Sequence, residues 1–86
     1  MKLSSLIGKN YTINGFLVLD NITEIDTICN AKKVAITNTP MSIIIDFLPE
    51  CEKLILLDTN VSKIACPRLT YWKLNDKVGK MYKHLR

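Results

Sequence analysis

Three cysteines and one histidine are the side chains whose types would suit nucleophilic catalysis or metal binding. Cys29, Cys51 and Cys66 lie at irregular intervals without a CxxC pair, and His84 is distant from all three in sequence. Zinc sites usually bring paired ligands at short spacing, and disulfide frameworks usually have an even number of cysteines. We therefore expect small buried thiols in a reducing compartment, with no metal site and no cysteine nucleophile.

Two aspartates occupy equivalent places after apolar runs. Asp20 and Asp58 resemble a carboxylate pair, but acid–base catalysis needs such groups in a cleft with separated pKa values. Their recurrence is better explained as a repeated turn residue. The three glycines form neither of the phosphate-binding patterns GxxxxGK[ST] and GxGxxG. The sequence thus predicts a chain that is not an enzyme, with no cofactor and no small-molecule substrate.

Positive charge is concentrated near the C-terminal end. Residues 1–66 carry six Lys and seven acids, whereas residues 67–86 carry six basic residues and one acid. Basic residues beside Tyr71, Trp72 and Tyr82 could contact phosphates while the rings stack on bases. The alternative is an ordinary solvated face of a Lys-rich helix. The candidate RNA-binding residues are Arg68, Lys73, Lys77, Lys80, Lys83 and Arg86.

An internal repeat indicates how these residues are positioned. Apolar runs begin at Phe16, Val34 and Leu54, and each is followed by an Asp/Asn/Thr turn and a further apolar segment. A degenerate fourth copy begins at Leu69, so the copies are offset by 18, 20 and 15 residues. Strands that are separated by such crossovers pair in parallel.

The repeat resembles the leucine-rich repeat, whose pattern is L-x-x-L-x-L-x-x-N-x-L. Cys51-x-x-Leu54-x-Leu56-x-x-Thr59-x-Val61 has this spacing with Thr in place of Asn, and residues 31–41 have it as well. The resemblance covers residues 13–76 and implies a small α/β solenoid with parallel strands, in which stacking of neighbouring units creates the core. A compact α/β or α+β domain built from the same strands is the alternative.

We expect one domain, residues 1–86, with a cap at each end. Residues 1–15 form an N-terminal cap with a hairpin at Asn14-Gly15, residues 16–76 form the repeat-like strands, and residues 77–86 form a basic C-terminal helix with apolar residues at helical spacing. Within the repeats, residues 40–48 are compatible with a short helix that has Thr39 as its N-cap and Pro40 in its first turn.

Alternate strand positions would face away from the core. Their apolar centre, rimmed by charged residues, has the composition of a protein-docking patch, and Trp72 would be the natural anchor. The alternative is that the same apolar residues form the core of a two-layer domain. The candidate protein-binding residues are Leu17, Leu19, Lys33, Lys53, Ile55, Leu57 and Trp72.

These features favour a non-enzymatic scaffold or binding module that docks onto a macromolecular partner through its strand face. The alternative is an accessory RNA-associated subunit of a ribosome-like ribonucleoprotein, anchored by the basic C-terminal segment. The longest dense apolar stretch, residues 43–48, is too short to cross a bilayer. We therefore expect a cytoplasmic protein with a protein partner, possible contact with RNA, and no membrane association.

Overall fold

A computed structural model describes residues 1–74 and 77–80. These residues form one six-stranded sheet in chain order, in which the inner strands β2 to β5 pair in parallel and the two outer pairs are antiparallel. The parallel strands stack in a solenoid-like arrangement of about three turns, which confirms the expected parallel coil. The elements are α1 (Leu3–Lys9), β1 (Thr12–Ile13), β2 (Phe16–Asp20), β3 (Lys33–Ile45), β4 (Lys53–Ile64), β5 (Tyr71–Leu74) and β6 (Lys77–Lys80).

The register between turns is set by a buried row of side chains. Leu17, Val34, Leu54 and Trp72 pair in succession and are 17, 20 and 18 residues apart. The predicted middle offset is correct, and the two outer offsets are wrong. Residues 16–19 are all apolar, so alternation could not reveal which of them face the core. At the other end, β5 begins two residues later than the predicted start at Leu69.

A left-handed residue marks the same point in each of three turns. Asn21, Asn38 and Asp58 have φ values of 61°, 48° and 52°, and each follows a residue of the paired row Asp20, Thr37 and Leu57. Asn and Asp adopt this conformation more readily than other residues with a side chain. The long strands β3 and β4 turn at these corners, so each contributes two sides of the coil.

Buried threonines follow two of the corners and bond adjacent turns together. The Oγ1 atom of Thr59 lies 2.9 Å from the carbonyl oxygen of Leu57 and 3.3 Å from that of Ile36, and it donates toward both. Thr39 accepts a hydrogen bond from the backbone N–H of Ile22 at 3.3 Å. Both threonines are almost completely buried, so their hydroxyls are satisfied inside the coil rather than by water.

The predicted helix over residues 40–48 is wrong, because β3 continues to Ile45. Ile43 and Ile45 are buried whereas Ile44 is exposed, which is the two-residue period of a strand. Consecutive β-branched residues also favour extended backbone. Pro40 is tolerated because it falls at a register shift of the ladder.

The N-terminal hairpin is confirmed, and a helix that we did not predict precedes it. β1 pairs antiparallel with β2 around Asn14-Gly15, where both residues have positive φ. Helix α1 buries Leu3 and Leu6 in the core and ends at Lys9, and the left-handed Asn10 caps it. The three-residue spacing of these leucines was the available signal. The chain therefore closes its first turn with both a helix and a hairpin.

The predicted C-terminal helix is wrong over Lys77–Lys80, which form β6 and pair antiparallel with β5. The open edge of β5 supplies backbone partners for an added strand. Val78 favours strand and Gly79 disfavours helix. The rest of that predicted helix, residues 81–86, lies outside the described residues. Within the described part of the chain, no helix is both long and apolar enough to cross a bilayer.

We predict that Thr59→Val lowers the free energy of unfolding by about 1 kcal/mol, because it deletes a buried hydrogen bond between turns without changing side-chain volume. Urea unfolding monitored by circular dichroism measures the effect. The exposed Thr27 provides the matched control, and Thr27→Val should shift the free energy by less than about 0.5 kcal/mol. Equal effects of the two substitutions would contradict the assigned role of Thr59.

Candidate docking surface

One side of the parallel sheet faces away from the buried core, and we call it the open face. Its residues alternate with the positions of the buried row along each strand, as the strand period requires, and the small side chain of Ala35 is covered by its neighbours with 9% of its surface exposed. Three rows of paired residues cross the strands: a first row with two lysines, a central row that is apolar except for Lys73, and a row at the corners. Their members are Lys33, Lys53 and Tyr71, then Val18, Ala35, Ile55 and Lys73, then Asp20, Thr37 and Leu57.

The candidate protein-binding residues divide between the two sides of the sheet. Leu17 and Leu19 lie in the core, with 7% and 0% of their surface exposed. Trp72 pairs with Leu54 of the buried row and packs half-buried against the core. The prediction that these three residues lie on the docking face is therefore wrong. The side chains that face away from the core are those one position along the strand from them. The candidates that do lie on the open face are Lys33, Lys53, Ile55 and Leu57.

Charge is distributed along the strands rather than around a rim. Lys33 and Lys53 are paired neighbours at the start of β3 and β4, and the ammonium of Lys33 lies 6.0 Å from the centroid of the Phe16 ring. The carboxylates of Asp20 and Asp58 lie at the opposite, corner end. The open face is therefore basic at one end, apolar in the middle and acidic at the other end.

Hydrogen bonds fix the Asp20 carboxylate at the corner. The Oγ1 atom of Thr37 donates to Asp20 Oδ1 at 2.6 Å, and Asn38 Nδ2 donates to the same oxygen at 2.9 Å. These bonds, chiefly that from Thr37, lower the pKa of Asp20 below its ordinary value. A negative charge is thus held at the edge of the open face at neutral pH.

An open groove of about 700 Å³ lies where the open face meets the N-terminal cap. Four of the six large apolar side chains exposed among the described residues line it, whereas Ile28 and Ile44 lie elsewhere. Its charged lining residues include Lys9, Asp20 and Asp58. The four exposed apolar residues are Met1, Tyr11, Ile13 and Leu57, which are 42%, 55%, 49% and 40% exposed.

Sequence reasoning assigned only Leu57 of these four residues to a binding surface. The sequence predicts only a cap and a hairpin over residues 1–15, and in the structure Leu3 and Leu6 of this segment are buried. Tyr11 and Ile13 are exposed because the hairpin adds a strand beside β2 instead of folding across it. The sequence does indicate that these two residues share one side of a strand, because Tyr11 and Ile13 alternate with the polar Thr12 and Asn14.

The candidate RNA-binding residues that the structure describes do not lie on a helix. The Nε atom of Arg68 lies 3.1 Å from Glu50 Oε1, so this positive charge has a carboxylate partner. Lys73 belongs to the open face. In β6 the backbones of Lys77 and Lys80 pair with those of β5. The remaining candidates, Lys83 and Arg86, lie outside the described residues.

The three cysteines lie in or beside the core as free thiols. Cys29 and Cys51 are buried and Cys66 is half-buried, and all three are free, as expected for buried thiols. Burial raises the pKa of Cys51 to about 12 and that of Cys66 to about 11, so both remain protonated thiols. Over residues 1–74 and 77–80, no three His, Cys, Asp or Glu side chains are arranged to hold a metal ion.

Comparison with known proteins found no matching family model, no matching curated protein and no matching solved structure. The class of the molecule is therefore defined by its own architecture. It is a small, mostly β, solenoid-like fold with one short helix, a basic-to-acidic open face and an apolar groove at one corner.

We predict that Thr37→Val raises the pKa of Asp20 toward the ordinary value of about 3.9, because it removes the main donor to the carboxylate. Carbon-detected NMR titration of the Asp20 carboxyl measures this change. A depressed folded-state pKa stabilises the fold above the unfolded pKa, and this stabilisation is lost as pH falls through the folded pKa. The stability difference between wild type and Thr37→Val should therefore shrink below about pH 4. An unchanged Asp20 pKa in the variant would contradict the assignment.

Proposed function

We propose that this protein is a non-enzymatic binding module that docks onto another protein through the open face and the groove. The single observation that carries the proposal is the concentration of exposed apolar side chains at the groove. Tyr11, Ile13 and Leu57 come from β4 and from the N-terminal cap, so the fold assembles the patch from distant parts of the chain. Isolated exposed apolar residues are ordinary, but a contiguous patch beside charged residues is typical of an interaction site.

Shape and charge favour a macromolecular partner over a small molecule. The groove continues into the open face, where Val18 and Ile55 extend its apolar surface across the strands. The affinity of a protein interface usually depends on a few central apolar or aromatic anchors. Tyr11 and Leu57 supply such anchors. Lys9 and Asp20 at the groove would orient the partner.

The buried cysteines and the aspartates support a role that is not catalytic. Protonation of Cys51 and Cys66 at neutral pH deprives them of nucleophilic reactivity. Asp20 has a lowered pKa, which opposes its use as a general acid, and Asp58 occupies a left-handed corner of the coil. Each of these groups therefore has a structural explanation.

An RNA-associated subunit remains the alternative that an experiment must separate from protein docking. It rests on the basic residues between positions 68 and 86, of which Arg68 is paired with Glu50 and Lys77–Lys80 lie in a strand rather than a helix. Nuclease treatment before capture distinguishes the two functions, because a partner held through RNA is released and a partner held at the groove is retained.

We predict that Leu57→Asp and Ile13→Asp each weaken capture of the protein partner by about thirtyfold or more, since a charge replaces an apolar anchor worth at least about 2 kcal/mol. The tagged chain would capture proteins from nuclease-treated native lysate. Each retained protein would be identified by mass spectrometry and tested again as a purified pair. Circular dichroism should show that both variants remain folded, because both side chains are exposed.

Ile44→Asp is the matched control, since Ile44 is at least as exposed as Ile13 and Leu57 but lies away from the groove. It should leave partner binding unchanged. Equal loss of the partner in Ile44→Asp and Leu57→Asp, or retention of the partner in both groove variants, would contradict docking at the groove. If nuclease treatment alone releases every captured protein, the RNA-associated alternative would be favoured.

A further inference from the structure

Three lysines on the open face have no carboxylate partner within the described part of the chain. Lys33, Lys53 and Lys73 come from three successive strands, and none of them lies within ion-pair distance of an Asp or Glu there. Glu50, three residues before Lys53 in the chain, pairs with Arg68. Positive charge on this part of the surface is thus available to a binding partner.

The lysines and the groove stand at a defined distance from each other. Lys53 and Leu57 are both on β4, four residues apart, so about 13 Å of strand separates their backbone positions. Lys33 and Lys53 are paired on neighbouring strands, about 4.8 Å apart. A binding partner that lies along β4 would therefore meet an apolar site first and a double positive charge about four residues later.

From this geometry, and resting on the proposed function, we propose that the open face recognises an extended acidic polypeptide segment. An apolar side chain of the segment fills the groove beside Leu57. Its Asp or Glu side chains, about four residues away, lie over Lys33 and Lys53. The apolar anchor supplies most of the affinity and the charges set direction and register, as is usual for exposed charges at interfaces.

The acidic end of the open face disfavours a nucleic acid at the same site. A polynucleotide carries a phosphate at every step, and a strand lying along β4 from Lys53 toward the groove would bring phosphates near Asp20 and Asp58. The Asp20 carboxylate is held in its charged form by Thr37. A peptide avoids this repulsion because it can place acidic residues at the lysine end only.

The dimensions of the open face disfavour a second copy of the chain. Four strands at about 4.8 Å spacing and five residues at about 3.3 Å rise span roughly 19 by 17 Å. That area, about 320 Å², is well below the roughly 800 Å² per partner of a stable interface. A slender segment of extended chain fits the available surface better than another folded domain.

Fluorescence anisotropy with synthetic peptides tests the proposal. The probes are fluorescein-labelled nonapeptides that carry one Phe and two Glu. The two Glu lie four and five residues from the Phe, and each peptide is prepared with the Glu residues before the Phe and with them after it. The matched probes carry Lys in place of Glu, and labelled oligouridylate tests nucleic acid. We expect one Glu peptide to bind the wild-type chain about tenfold or more tightly than its Lys counterpart, with affinity that falls as salt rises.

Two substitutions on the same strand provide the decisive comparison. Lys53→Glu should weaken the Glu peptide about tenfold, whereas Lys63→Glu, also an exposed lysine of β4 but beyond the corner, should have no effect. Leu57→Asp should abolish binding of the same peptide. The variants would be compared at equal salt, and their folding confirmed by circular dichroism.

Several outcomes would overturn the proposal. Binding that requires Leu57 but ignores Lys53→Glu would refute the acidic partner and leave the proposed docking at the groove intact. Failure of every peptide to bind at millimolar concentration would refute the extended segment. Tighter binding of oligouridylate with the same Lys53 dependence would assign the lysines to nucleic acid. A dimer in sedimentation that Lys53→Glu dissociates would assign them to self-association.

Discussion

Parallel pairing of strands from successive turns is the constraint on which the rest of this structure depends. Once Leu17, Val34 and Leu54 stack in the core, each residue beside them must point to the opposite side of the sheet. That single choice of register makes Ile55 and Leu57 surface residues while Leu54 and Leu56 become core. The docking surface is therefore a direct consequence of how the core is stacked.

The corners connect the stability of the coil to the candidate site. Asn38 turns the chain in the left-handed conformation while its side chain helps to hold the Asp20 carboxylate. One residue later, Thr39 is buried and bonds to the previous turn. The acidic end of the open face thus lies directly beside buried hydrogen bonds. A site built on such a corner is held more rigidly than one built on a free loop.

Much of the fold could be predicted from the sequence, because repeated spacing and Asn14-Gly15 are local signals. It was harder to predict which side of the sheet each residue faces. The run from Phe16 to Leu19 is apolar throughout, so it shows no alternation of apolar and polar residues. The continuation of β3 and the pairing of β6 depend on backbone partners from neighbouring strands, which no single segment reveals. For the same reason the groove was missed: Tyr11 and Leu57 meet only after the sheet has formed.

The most direct test of the central claim compares two adjacent leucines that differ only in the side of the sheet they face. Leu56 is fully buried and Leu57 is 40% exposed. Urea unfolding should show that Leu56→Ala lowers the free energy of unfolding by about 2–5 kcal/mol, whereas Leu57→Ala lowers it by about 0.5 kcal/mol or less. Equal losses, or a larger loss at Leu57, would contradict the register and the surface built on it.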